Sequence, residues 1–185
     1  MAETKLVLRE LQARLAERME RAREQASVSG WLAVELGSHG YLLALTQAGE
    51  IFSMTNVQRV PYTQPWFWGV ANLRGSLYGV VDAHHFIFGQ PAAGRTEYSK
   101  GQSRLVALNP ALDLNVVLMV DRMAGLRRVE SFVHQIEPEG QRPAFFGPVL
   151  VDQQGRRWQE LDLQKLAQDP HFLTVGEGGQ VVPVH

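Results

Sequence analysis

The hydrophobic pattern divides the chain into a short N-terminal segment and a longer remainder. Between residues 4 and 26, apolar side chains recur every three or four positions: Leu8, Leu11, Leu15, Met19, Ala22 and Ala26. This spacing places them on one face of a helix, and pairs such as Glu10 with Arg14 support it on the other faces. We therefore predict an amphipathic helical extension over residues 1–29. Its apolar face either packs on its own domain, stays solvated or binds a partner.

From Trp31 onward, short apolar runs alternate with turn residues, which is typical of strands. A strand–turn–strand element is predicted around Gly69 and Gly75, and the other predicted strands cover residues 31–36, 41–46, 50–54, 56–60, 76–81, 103–109, 114–121, 125–130, 146–151 and 156–161. So many short strands indicate an all-β fold of the barrel or sandwich type.

Two short helices are predicted between these strands. One covers residues 83–88, with Asp82 as its N-cap and Gly89 as its end, and the other covers residues 163–168, between Asp162 and Pro170. The stretch 90–102 is rich in small and polar residues and is predicted to be an exposed loop. We accordingly assign one domain to residues 30–173 and a loosely attached tail to residues 174–185.

Composition and charge remove several classes of function. Eighteen basic and 19 acidic side chains give a net charge of −1, so no overall attraction to nucleic acid or acidic membranes follows. The chain has no cysteine, which excludes disulfides and thiolate chemistry. Because no apolar stretch has the length of a membrane span or a signal sequence, we expect a cytoplasmic protein without membrane insertion.

The side chains that could carry chemistry do not form a recognisable site. His84 and His85 are adjacent, so on a helix they point in different directions and cannot easily share a metal ion. Nucleophile, phosphate-loop and zinc motifs do not occur in the sequence. The aromatic run from Trp66 to Trp68 lacks adjacent basic residues, unlike a single-strand nucleic-acid binder. We expect no catalytic residue, metal or cofactor; an enzyme would need a deep polar pocket holding two or more of the histidines.

Residues 66–89 contain the most informative segment, and Arg74 is its unusual residue. Arg74 stands between Leu73 and Gly75, where packing does not require a charge. It is a surface arginine, an arginine paired with a nearby carboxylate, or an interface anchor, because its planar guanidinium can stack and donate several hydrogen bonds.

The motifs of this region resemble those of the CheW family of chemotaxis coupling proteins. The sequence Gly-Val-Ala-Asn-Leu-Arg-Gly over 69–75, followed by Gly-Val-Val-Asp over 79–82, is similar to the first family signature. Residues 117–123 resemble its Val-Asp-Arg-Val element, and residues 161–166 resemble its closing strand and helix. Gly79 and Arg59 depart from the proline and glutamate that the family often has. The stretch from Tyr62 to Asn72 resembles the PilI-like branch, which belongs to chemotaxis-type systems that control type IV pili.

The resemblance implies two packed five-stranded β-barrel subdomains and no catalysis. It also implies two partners, namely the regulatory domain of a CheA-type histidine kinase and the cytoplasmic tip of a methyl-accepting chemoreceptor, with recruitment to membrane-associated receptor arrays. The expected partner contacts are Val70, Asn72, Leu73, Arg74 and Gly75, with Arg59, Trp66 and Trp68 as secondary candidates. Arg74→Ala or Arg74→Glu is predicted to leave folding intact and weaken partner binding.

Five valine and leucine positions are expected in the core instead, namely Val80, Val81, Val117, Leu118 and Val120. An alternative function keeps the fold and changes the partner: a kinase-independent β-barrel module that binds proteins of another signalling pathway. Co-purification with a CheA-type kinase would separate the two.

Overall fold

The computed structural model describes residues 30–93, 101–137 and 140–176. The predicted helix over 1–29 and most of the predicted tail lie outside these residues. The strands are β1 Gly30–Leu36, β2 His39–Ala44, β3 Ala48–Ser53, β4 Phe67–Leu73, β5 Ser76–Asp82, β6 Arg104–Leu108, β7 Val116–Val120, β8 Arg122–Arg128, β9 Phe132–Ile136, β10 Phe146–Asp152 and β11 Arg157–Leu161. The helices are α1 Ala83–Phe88, α2 Leu163–Leu166 and α3 Pro170–Leu173. The all-β prediction is confirmed.

The strands form two sheets. One has six strands in the order β8-β1-β2-β11-β10-β9, and the other has five in the order β3-β6-β7-β5-β4. Most neighbours are antiparallel, but β5 pairs with β7, and β11 with β2, in parallel. Strands β5 and β11 are each the second strand of a hairpin, and each leads directly into a short helix whose N-cap is an aspartate, Asp82 or Asp162. The units β4–β5–α1 and β10–β11–α2 therefore repeat one arrangement.

Alternate residues of the inner strands pack into different cores. On β1, Leu32 and Val34 face a large central core between the sheets, whereas Ala33 faces a smaller core of the six-stranded sheet. On β7, Leu118 joins the central core and Val117 joins a small core of the five-stranded sheet. Both faces of these strands are therefore buried, which explains their continuous apolar sequences. The five predicted core residues, Val80, Val81, Val117, Leu118 and Val120, are all buried.

The five-stranded sheet closes on itself through a single bridge. After β3 the chain crosses to β4, where the N–H of Gln58 donates to the carbonyl of Val70 at 2.8 Å and the N–H of Val70 donates back at 2.9 Å. Gln58 lies in the segment that follows the edge strand β3, and β4 is the other edge of this sheet. The bridge therefore connects the two edges through this segment and closes the sheet toward a barrel. The prediction of a strand over 56–60 is wrong, because only Gln58 forms a bridge there.

The six-stranded sheet has one strand more than the five implied by the resemblance. Within the described residues its edges are β8 and β9, which follow each other in the chain across a 3-10 turn at Val129–Ser131. The sequence prediction missed β9 and placed His134 in a loop. Four of the five residues of β9 are exposed, so the strand lacks the buried apolar pattern that reveals the others.

The predicted helix caps are present. The carboxylate of Asp82 accepts a hydrogen bond from the N–H of His85 at 3.1 Å, and Gly89 ends α1 in a left-handed conformation. The carboxylate of Asp162 accepts from two N–H groups at the start of α2. Helix α2 ends earlier than predicted, and Pro170 begins α3 instead of only following a helix, since a first-turn proline needs no N–H partner.

Candidate partner-binding surface

The turn between β4 and β5 presents Arg74 at the end of the five-stranded barrel. Arg74 and Gly75 have φ angles of 51° and 86°, so both central residues of this two-residue turn are left-handed. Two such residues match the type I′ hairpin turn, which suits the twist of the flanking strands. The side-chain oxygen of Asn72 accepts a hydrogen bond from the N–H of Gly75 at 2.9 Å. Asn72 and Gly75 therefore shape the turn that holds Arg74 outward.

The alternation of β4 decides which of the motif residues can be reached from outside. Ala71 and Leu73 face the small core of the five-stranded barrel, and Leu73 is only 5% exposed. Val70 is half-buried and Asn72 is exposed on the opposite face. Leu73, an expected partner contact, is thus a core residue, and its side chain is not available to a partner.

The guanidinium of Arg74 connects the hairpin with β3. Its Nη1 lies 2.5 Å from Oε1 of Glu50, and its Cζ lies 5.9 Å from the centre of the Phe52 ring. The Arg74 side chain is nevertheless 76% exposed. Pairing with a carboxylate was one interpretation of Arg74, and the structure contains this pair. Most of the guanidinium still faces outward.

Gly69 is required where the chain crosses β4. A Cβ at this position would lie 2.0 Å from the carbonyl oxygen of Gln58, and the φ of Gly69 is 131°. No L side chain fits such an approach without moving the backbone. The first glycine of the motif therefore serves barrel closure, which in turn positions the β4–β5 hairpin.

The secondary candidates separate into one surface pair and one core residue. The guanidinium of Arg59 lies over the ring of Trp68 at 5.1 Å, so the positive charge that departs from the family pattern is held against an aromatic face. Trp66 is 4% exposed and packs against Phe86 and Phe172 in the central core. Trp66 is therefore unsuitable as a direct contact, and its indole N–H finds no hydrogen-bond partner among the described residues.

We define the hairpin surface as Glu50, Val70, Asn72, Arg74 and Gly75. An exposed apolar side chain adjoins it, because Leu77 is the cross-strand neighbour of Asn72. An outward arginine next to apolar side chains has the character of an interface anchor.

A second concave region, the junction groove, lies between β2, α1, β10 and β11 and has a volume of about 660 Å³. Its apolar lining comes from both halves of the molecule, while three arginines stand at the β10–β11 side: the lining includes Tyr41, Ile87, Phe88, Phe146, Val149, Arg142, Arg156 and Arg157. Such a groove suits an elongated apolar segment with acidic neighbours. It holds one histidine, His39, and so lacks the histidine pair that an enzyme site was expected to need.

Comparison with known proteins supports the resemblance read from the motifs. The sequence model of the CheW-like domain matches residues 30–171. The chain belongs to the CheW-like family. Its sequence is 27% identical to protein PilI of Pseudomonas aeruginosa over 158 residues, which cover 82% of this chain and 84% of PilI. Its fold is similar to that of the scaffolding protein CheW from Thermoanaerobacter tengcongensis, with a TM-score of 0.59 and 19% identity over 72% of this chain and 88% of that one.

The CheW-like motifs did not indicate every residue of the hairpin surface. Glu50 lies 24 positions before Arg74, and only the meeting of β3 with the β4–β5 hairpin brings the two together. The inward position of Leu73, in contrast, could have been inferred from the strand alternation of Val70 to Leu73.

Other chemistry is sparse in the described parts of this CheW-like chain. Within residues 30–93, 101–137 and 140–176, no three histidine or carboxylate side chains form a metal-binding group. None of the helices in these ranges is long and apolar enough to cross a membrane. The carboxyl pKa of Asp152 is lowered: burial opposes this shift, but hydrogen bonds from Trp158 and from two backbone N–H groups outweigh it. These contacts hold the β10–β11 turn together.

Proposed function

We propose that this CheW-like chain is a non-catalytic adaptor that couples a methyl-accepting chemoreceptor to a CheA-type histidine kinase. The similarity to PilI favours a chemotaxis-type system that controls type IV pili and twitching motility. In this role the chain works in the cytoplasm, at membrane-associated receptor arrays, and binds the regulatory domain of the kinase and the cytoplasmic tip of the receptor.

The observation that carries the proposal is the construction of the hairpin surface. The β4–β5 turn places Arg74 in a left-handed conformation, which a residue other than glycine adopts at a cost of roughly 1–2 kcal/mol. Glycine would fit the backbone of the turn better, so what arginine adds at this position is its side chain. That side chain is oriented by Glu50 and Phe52 and yet remains mostly exposed. An oriented, exposed guanidinium suits protein recognition.

An adaptor also needs two separate faces. The hairpin surface lies on the five-stranded barrel, while the junction groove combines residues of α1 with residues of the other sheet. Two partners can therefore be bound at the same time, one on each face.

Substitution of Arg74 tests the proposal. Arg74→Gly removes the side chain and relaxes the turn, so the loss of an exposed ion pair worth less than about 1 kcal/mol should leave the free energy of unfolding nearly unchanged. Arg74→Glu also places a second carboxylate beside Glu50. Both variants should weaken binding to the kinase regulatory domain or to the receptor tip at least tenfold, measured by titration calorimetry with each fragment.

Arg128→Glu provides the matched control, because it reverses another exposed arginine that lies in neither the hairpin surface nor the junction groove. This variant should bind both fragments with wild-type affinity. If both Arg74 variants bind both fragments with wild-type affinity, a partner-binding role for this residue is refuted. Failure of the wild-type chain to bind a CheA-type regulatory domain would favour the kinase-independent module.

A further inference from the structure

An apolar groove lies along β9, an edge strand of the six-stranded sheet, next to the start of β1. The groove has a volume of about 250 Å³, and its apolar lining consists of Trp31, Val129, Phe132, Val133 and Leu150. Val129 and Val133 are 50% and 59% exposed in the described part of the chain. We call this region the edge groove.

The two sheets differ in whether their edge strands are connected. In the five-stranded barrel, the bridge between Gln58 and Val70 joins the edges. In the six-stranded sheet, β8 pairs with β1 and β9 pairs with β10, and within the described ranges no ladder connects β8 with β9. Exposed edge strands with apolar side chains invite aggregation, and proteins commonly cover them with a helix or a loop.

Chain connectivity brings the N-terminal segment to this groove. Strand β1 begins at Gly30, which pairs with Arg128, the residue directly before Val129. Trp31, the next residue, itself lines the groove and packs edge-to-face on Phe132 with ring centres 5.8 Å apart. Whatever precedes Gly30 therefore leaves the barrel at one end of the edge groove.

The sequence before Gly30 has the matching chemistry. Residues 8–26 carry the leucine, methionine and alanine stripe at helical spacing, and only Ser27, Val28 and Ser29 separate it from β1. Three residues span at most about 10 Å, so the tether keeps the stripe beside the groove at an effective concentration on the order of millimolar. A modest apolar contact is then sufficient for docking.

We propose that residues 4–26 fold as an amphipathic helix whose leucine face packs into the edge groove of the same chain. The helix covers Val129 and Val133 and shields the edge of β9. At about 100° per residue, Arg14 and Glu17 lie on the opposite side of the helix from the leucine stripe, so in this arrangement they face away from the barrel. The inference concerns the segment alone and does not depend on the identity of the adaptor's partners.

Cysteine cross-linking tests this docking directly, because the chain contains no cysteine of its own. Val133→Cys is combined in the full-length chain with each of Leu8→Cys, Leu11→Cys, Leu15→Cys and Met19→Cys. The matched controls combine it with Arg9→Cys, Arg14→Cys or Glu17→Cys from the polar faces. Under mild oxidation at low protein concentration, at least one apolar-face pair should form a disulfide within one chain at least tenfold faster than any polar-face pair.

The other outcomes are equally clear. Equal rates for both faces, or no cross-link in any pair, would overturn the proposal. Cross-linking between chains, seen as a dimer band that grows with protein concentration, would assign the groove to a second copy and would also overturn it.

Hydrogen exchange supplies a second measurement, which does not depend on which residue of the helix lies opposite Val133. Amides of residues 132–136 should exchange at least tenfold faster in the double variant Leu11→Asp/Leu15→Asp than in the wild type. Arg14→Asp/Arg21→Asp, on the polar side of the helix, should leave them unchanged. Unchanged exchange in the leucine variant would contradict docking on β9 even if the variant folds normally.

Discussion

Arg74 and Gly69 show that the residues of one short motif serve different purposes. Gly69 lets the chain cross β4, Ala71 and Leu73 fill the barrel, Asn72 and Gly75 form the turn, and the hairpin presents Arg74. The sequence indicated this motif as important, but it could not separate contact from support. Leu73 and Trp66 were expected at the surface and lie in the core. Strand alternation opposite the polar Asn72 could have placed Leu73 inside, whereas Trp66 precedes β4 and its position depends on tertiary packing.

A matched pair of glycine substitutions separates support from presentation. Gly69→Ala should destabilise the fold by about 2–4 kcal/mol, because its Cβ would overlap the Gln58 carbonyl and open the barrel bridge. At Gly75 the φ angle is 86°, but no described atom lies within 4 Å of an added Cβ. Gly75→Ala should therefore lower the stability only by the conformational cost of roughly 1–2 kcal/mol. Urea unfolding measures both. Equal losses would show that close approach at Gly69 is not the cause.

Among the elements, a buried carboxylate links β1 to β8 and to the β10–β11 turn. Glu35 is 5% exposed, and its carboxylate lies 2.5 Å from Nη2 of Arg122 and 2.7 Å from Nη2 of Arg156. Burial alone would raise the pKa of Glu35, but hydrogen bonds and charge interactions with Arg156 and Arg122 together lower it below its usual value. The ionised carboxylate is thus the form that the folded protein stabilises.

The pH dependence of stability follows from this shift. Since the folded pKa of Glu35 lies below its ordinary value of 4.5, its contribution is present above that pH and is lost as the pH falls through the folded pKa. Glu35→Gln should cost about 2 kcal/mol at pH 7 and progressively less below about pH 4.5. Urea midpoints of both proteins across this range provide the measurement. A difference that does not change with pH would contradict the role of the charge.

Glu50→Gln serves as the control for this experiment. Glu50 makes an exposed ion pair with Arg74, so its loss should cost less than about 1 kcal/mol at either pH. A cost as large as that of Glu35→Gln would mean that burial does not distinguish the two pairs.

Sequence reasoning found the elements with buried apolar runs and missed the mostly exposed strand β9. The caps at Asp82 and Asp162 were identified from local chemistry alone, because a cap needs only neighbouring backbone groups. The parallel pairings of β5 with β7 and of β11 with β2 depend on contacts between distant segments, which no local pattern specifies. Strand β9 was missed and the run 56–60 was overcounted, since edge and crossing segments follow no clear period.

On the scale of the whole molecule, two small barrels share one central core. This core includes side chains from β1, β2, β6 and β7 as well as from the short helices, so the barrels are held against each other. A common rigid core suits an adaptor, because it fixes the hairpin surface relative to the junction groove. The arrangement of two separate faces could not be read from the sequence, since each face combines residues far apart in the chain.

Simultaneous binding of both partners tests the central claim most directly. A receptor-tip fragment is immobilised, and the retention of the CheA-type regulatory domain is measured with and without the wild-type chain. The account predicts that the kinase domain is retained strongly when the chain is present, and at least tenfold less when it is absent or carries Arg74→Glu. Retention that does not depend on the chain, or a chain that binds neither fragment, would contradict the account.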